Sequence, residues 1–105
     1  MYKPNKQMQD AARRAIVWNA SQSPSGKWGT PTGRRRATQL ANGDAVSLDI
    51  VERMFSFLSR HRSNYEQYVG ADVKGKGYYA YLGWGGPSAL GWARRILNQE
   101  NAKKN

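Results

Sequence analysis

Residues 46–62 read VSLDIVERMFSFLSRHR, and the spacing within this stretch decides the fold. Ser47 is a strong N-cap, and Asp49 places a negative charge in the first turn, where the helix dipole favours it. Val46 and Val51 occupy the N′ and N4 positions of a hydrophobic staple. Ile50, Met54, Phe57, Leu58 and His61 then share one face, which Val51 and Phe55 widen. A helix over 47–62 with so broad an apolar face must be covered by other helices, so the spacing predicts an all-α domain built around it.

Upstream, Ala37, Leu40 and Ala41 give a narrow apolar stripe that begins at Thr32 or Gly33 and stops at Asn42-Gly43, a left-handed C-terminal signal. Before it, SQSPSGKWGTPTG (21–33) breaks every period and reads as a loop. Its Trp28 either folds back over the core or stands free as a stacking ring. Asn5 caps a first helix over 6–19, with Met8, Ala11, Ala12, Ala15 and Ile16 inward and Arg13 and Arg14 on the polar side. Downstream, 63–77 reads as a flexible connection or a hairpin-like excursion. The tyrosines of YYAYLGWGG would suit a strand, but its apolar spacing and double-glycine end are read as a short helix. Pro87 opens a last helix carrying Ala89, Trp92, Ala93, Ile96 and Leu97, with Arg94 and Arg95 outward. The expectation is a compact bundle of four to five short helices with long Gly-containing loops. Residues 1–105 form a single domain, frayed at 1–4 and 99–105.

Charge is the strongest compositional fact. Seventeen Lys and Arg face seven Asp and Glu, a net charge of +10 and a pI near 10.3. If every acid paired with one base, ten bases would still lack a partner. Such a surplus suits a polyanion, DNA first among nucleic acids, because each phosphate contact releases condensed counterions. Neither a long apolar run nor a basic amphipathic helix points to a membrane. With no Cys and one His, neither a disulfide nor a metal site can be drawn, and no cofactor motif is present. The GKG at 75–77 lacks the spacing of a phosphate loop. No acid, base or nucleophile stands with a partner, so a non-enzyme is expected.

The candidate binding residues follow from that charge. Arg34, Arg35 and Arg36 fan around the start of the second helix, where positive charge opposes the dipole. A phosphate over that helix start would meet free N–H groups and guanidinium forks together. The alternative pairs Arg36 with Asp49 or Glu52 and leaves Arg34 and Arg35 solvated. Arg53 and Arg60, seven apart with Ser56 between them, form a second anion strip, and His61 is expected as a buried, hydrogen-bonded imidazole. Tyr78 and Tyr79, beside Lys74 and Lys76, are candidates for base stacking, whereas Trp84 and Trp92 complete the core. The short NGDAV connection suggests a helix-turn-helix, but Asp49 and Glu52 at the start of its second helix would repel phosphates. Binding tolerant of sequence is the better reading.

Four stretches, KPNKQMQDAARRAIVWN (3–19) and three that carry motif matches, resemble in order an uncharacterised small basic domain of tailed bacteriophages. The first match is Thr30, Gly33, Arg36, Ala37, Leu40, Asn42 and Gly43. The second is Ser47, Val51, Arg53, Met54, Ser56, Phe57, Arg60 and His61, and the third is Trp84, Gly85 and Gly86 with Trp92 and Ala93. Arg34 and Arg35 stand where the family has small or apolar residues, and 61–84 departs from its usual approach to Trp-Gly-Gly. The resemblance implies a phage setting, near or fused to head-assembly proteins, in the host cytoplasm during infection or in the virion. It implies no reaction. The expected function is non-catalytic nucleic-acid binding; the rival is a virion-assembly or host-interaction protein that binds an acidic protein, such as a phage structural protein.

Overall fold

Six α-helices order the chain in the computed structural model, which describes residues 1–104: α1 Lys6–Ala20, α2 Pro31–Ala41, α3 Leu48–Arg60, α4 Arg62–Glu66, α5 Lys76–Gly83 and α6 Pro87–Lys104. A single 3-10 turn, Pro24–Gly26, lies between α1 and α2. Among the described residues there is no strand, only an isolated antiparallel bridge between Tyr2 and Val46. No described helix is long and apolar enough to cross a membrane.

The all-α expectation holds, with one helix more than the four to five expected. Ser47 caps α3 as its sequence requires, its hydroxyl accepting the Ile50 N–H at 3.4 Å. The 47–62 helix, however, ends at Arg60: His61 leaves helical geometry at φ −103° and ψ 9°. The break re-aims the chain into α4, where Tyr65 stacks on Tyr78 at 4.9 Å and on Tyr81 at 4.5 Å. An Arg62–Glu66 ion pair of 2.7 Å spans that short helix. The second helix begins earlier than the apolar stripe suggested. Thr30 is its cap, accepting the Gly33 N–H at 3.1 Å, and Pro31 takes the first helical position.

Two hydrophobic clusters hold the helices together. In the larger, Val51, Met54 and Leu58 of α3 meet Ala89, Leu90, Ala93 and Ile96 of α6, with Met8 and Leu40 contributed by α1 and α2. Trp84 and Trp92 pack against this cluster partly buried. The smaller one surrounds Trp28, which is 1 % exposed and lies among Ala11, Ala15, Ala37, Tyr78 and Leu82. Trp28 therefore folds back from its loop. Its ring donates to the Ala15 carbonyl at 3.1 Å, and its backbone exchanges two hydrogen bonds with the buried Asn19 side chain, at 3.0 and 3.3 Å. Gly83 lets α5 approach: a Cβ there would stand 2.3 Å from the indole. Gly85 and Gly86 turn α5 into α6 with φ of +112° and +75°, a conformation that L side chains rarely adopt.

The segments expected to fray, 1–4 and 99–105, carry contacts at Tyr2, Pro4 and Glu100. Tyr2 exchanges two 2.9 Å backbone hydrogen bonds with Val46, Pro4 is buried, and the Tyr2 hydroxyl donates to Glu100. Those long-range contacts dock both termini, and α6 runs on through Lys104. Asn105 lies outside the described residues.

Candidate nucleic-acid interface

With Thr30 as cap, the arginine triplet sits one turn inside α2 rather than over its open N–H groups. Each arginine has a different fate. Arg34 curls back on the preceding loop, donating to the carbonyls of Gly29 at 2.7 Å and Trp28 at 3.3 Å. Arg35 is exposed. Arg36 is half-buried, donates to the Gln39 side chain, and keeps a buried Nε without a partner among the described residues. Burial first, then the charges of Arg53 and Arg35, hold the Arg36 guanidinium below its ordinary value, against the pull of Asp49. Among the described residues Arg36 pairs with neither Asp49 nor Glu52, and Asp49 pairs within its own helix to Arg53 at 3.3 Å. The charges of Arg35 and Arg53 thus both bear on Arg36.

Arg60 is exposed on α3 and donates through Nε to the Ser56 carbonyl at 3.3 Å. The Arg53–Ser56–Arg60 strip is therefore accessible, with Asp49 and the exposed Glu52 beside it. His61 departs from the expected setting: its imidazole is half-buried and leans on the Phe57 ring at 4.4 Å, and Phe57 in turn stacks on Trp84 at 4.9 Å. The tyrosine pair divides. Tyr78, expected to be exposed, is buried in the Trp28 cluster because Gly77, in the first turn of α5, lets that helix pack closely on Asn64 of α4, so it offers no face to a base. Tyr79 is half-exposed and stacks on Trp18 at 4.3 Å and 9°. Lys74 donates to the Ala71 carbonyl and lies 5.3 Å over the Tyr78 ring, while Lys76 reaches across to the Ser25 carbonyl at 2.7 Å.

Two groupings escaped the sequence. Lys27, Arg34 and Lys76 come from three different segments and donate to carbonyls of Asn19, Trp28, Gly29 and Ser25, so three cations converge on the 19–29 loop. Lys27 and Arg34 also line a groove of about 320 Å³ between α1 and α2. Nothing in the local pattern pairs residues so distant. The second is a groove of about 650 Å³ lined by Asp10, Arg13, Arg14, Val17, Trp18, Ser21 and Tyr79. Its signal was present: the α1 members recur at i, i+3, i+4, i+7, i+8 and i+11, a second stripe on the helix face away from Met8 and Ala12.

The ion pairs among the described residues are Lys6 and Arg13 with Asp10, Arg53 with Asp49, Arg62 with Glu66 and Lys103 with Glu100. All lie within one helix, and most are exposed, so they bridge no two elements. Carbonyl contacts such as those of Lys27, Arg34 and Lys76 orient a cation without cancelling its charge. Among the described residues no group of three His, Cys, Asp or Glu side chains gathers to hold a metal ion. Compared with known proteins, the chain matches no family model, no curated protein and no solved structure.

Proposed function

We propose that this protein binds nucleic acid without catalysis, gripping the phosphate backbone of DNA with little preference for sequence. The observation that carries the reading is that the positive surplus is ordered but not neutralised. Arg35, Arg53 and Arg60 stand exposed on α2 and α3, where Asp49 pairs with Arg53 alone, and Lys27, Arg34 and Lys76 are held by backbone carbonyls without a carboxylate. Cations already held in place lose little freedom when an anion arrives. A phosphate beside Arg36 would also relieve the mutual repulsion of its neighbours. The motif resemblance adds a proposed setting in a tailed phage, with DNA near the head-assembly machinery as the polyanion at hand.

The test is a salt series on a generic DNA duplex followed by fluorescence anisotropy. The logarithm of the binding constant should fall linearly with the logarithm of salt, with a slope of roughly −0.9 per phosphate contacted, and unrelated sequences should give the same line. Arg35→Ala, which removes an exposed charge, should lower affinity and reduce that slope by about 1 while the thermal melt stays put. Absence of binding at physiological salt would sink the proposal and pass the basic surface to an acidic protein partner.

A further inference from the structure

We propose that the α1–α5 groove is a seat for an unpaired nucleobase, which makes single-stranded nucleic acid the preferred ligand; this rests on the nucleic-acid reading above. Trp18 and Tyr79 form a near-parallel ring pair, 4.3 Å apart and tilted by 9°, between two helices. The pair is braced from within: Tyr78 meets Tyr79 edge-on at 5.1 Å, and Tyr65 stacks behind Tyr78 at 4.9 Å. The platform is thus set before any ligand arrives. Val17, 65 % exposed, adds an apolar side chain to the lining beside Trp18.

The rim supplies the complementary charge. Arg14 is exposed and has no carboxylate within ion-pairing distance among the described residues. Arg13 is held by Asp10 at 3.2 Å and by the Ala41 carbonyl at 3.1 Å, and Asp10, the one acid in the lining, already faces both Arg13 and Lys6. A ligand here needs a flat aromatic face for the rings and an anion for Arg14, and a nucleotide carries both. In a duplex the base faces are covered by neighbouring pairs, leaving only phosphates to offer, so the aromatic floor would go unused. The groove, of about 650 Å³, is open to solvent, as a seat for a base on a continuing strand requires.

Titration of the full chain with a labelled oligothymidylate and with a duplex of equal length tests this. The wild type should favour the single strand. Tyr79→Ala should cut that preference by roughly 5- to 100-fold, the range for losing one base–aromatic stack, and Tyr79→Phe should restore it. Because Tyr79→Ala also opens the Trp18 packing, Val17→Glu is the control: its exposed site leaves the fold intact while placing a carboxylate on the floor, and it too should abolish the preference. Equal binding of both ligands by the wild type, or an unchanged preference in Val17→Glu and Tyr79→Ala, would overturn the groove assignment while the phosphate-binding reading stands. Binding of neither ligand would overturn both.

Discussion

The α3–α6 side of the molecule and the α1–α2–α5 side are packed by different means. Between α3 and α6 the buried side chains come from residues spaced three, four and seven apart on each helix, so the cluster is shared among Val51, Met54, Leu58, Ala89, Ala93 and Ile96. On the other side, small residues of three helices leave a space that one indole fills from a loop. The indole donates to the Ala15 carbonyl and the Trp28 backbone is held by the Asn19 side chain, contacts that an apolar stripe on α1 does not announce. A periodic core distributes its burial over many side chains; a plugged one concentrates it in Trp28. The loop that carries the plug also receives Lys27, Arg34 and Lys76, so the placement of these cations depends on a single ring.

Truncating each side at its centre tests the contrast most directly. Trp28→Ala should destabilise the protein by about 3–5 kcal/mol and Leu58→Ala by about 2–5 kcal/mol, read from urea unfolding followed by circular dichroism. Both empty a core, but Trp28→Ala should also weaken nucleic-acid binding at temperatures where the variant is still folded, because the loop cations lose their frame. Leu58→Ala should leave that affinity alone. If the two variants lose affinity equally, the idea that Trp28 organises the basic loop fails.

A smaller effect sharpens the same point. Gly83→Ala sets a methyl group 2.3 Å from the Trp28 ring, and overpacking of this kind costs about 1–3 kcal/mol. In a Trp28→Leu background the smaller side chain makes room, so the added cost of Gly83→Ala should largely vanish. A double-mutant cycle reads that coupling directly; additive effects would show that the glycine serves the backbone and not the indole.

The two sides also differ in how far the sequence disclosed them. The α3 cap, its apolar face and the Asn42-Gly43 stop follow from local chemistry, and each is where its spacing put it; Gly43 has φ +77°. The break at His61 and the short α4 after it were hidden because 63–77 reads as a connection, and only the stacking of Tyr65 on residues of α5 makes that extra turn of helix worthwhile. The same long-range stacking buries Tyr78, which its place beside Lys74 and Lys76 suggested as an exposed ring. Among the candidate arginines, the triplet was legible as charge but not as geometry. Whether Arg34 reaches solvent or its own loop depends on where the helix begins, and that was decided by Thr30 and Pro31, not by the apolar stripe. The Trp18–Tyr79 pair needed the packing of α5 on α1, which no single-helix pattern carries.

The smallest expected effect concerns the chain ends, which close the α3–α6 side. Tyr2 donates its hydroxyl to Glu100, and Lys103 supports the same carboxylate at 3.3 Å. The hydrogen bond from Tyr2, then that from Lys103, holds the Glu100 carboxyl below its ordinary range, while the same contact, with some burial, raises the Tyr2 phenol. A lowered carboxyl contributes stability above its unfolded pKa and loses it as pH falls through the folded one. A raised phenol contributes below its unfolded pKa and loses it as pH rises through the folded one. The contact therefore needs a neutral phenol and an ionised carboxylate, a window from about pH 5 to about pH 10. Tyr2→Phe should lower the Tm slightly inside that window, and the deficit should shrink as pH falls below the usual carboxylate range and Glu100 takes up its proton. Tyr65 and Tyr81, whose phenols burial raises, titrate alike in both proteins, so the difference between the two melts isolates the terminal contact. A deficit that persists undiminished at pH 3 would mean that Tyr2 acts through its ring against the core and not through its hydroxyl.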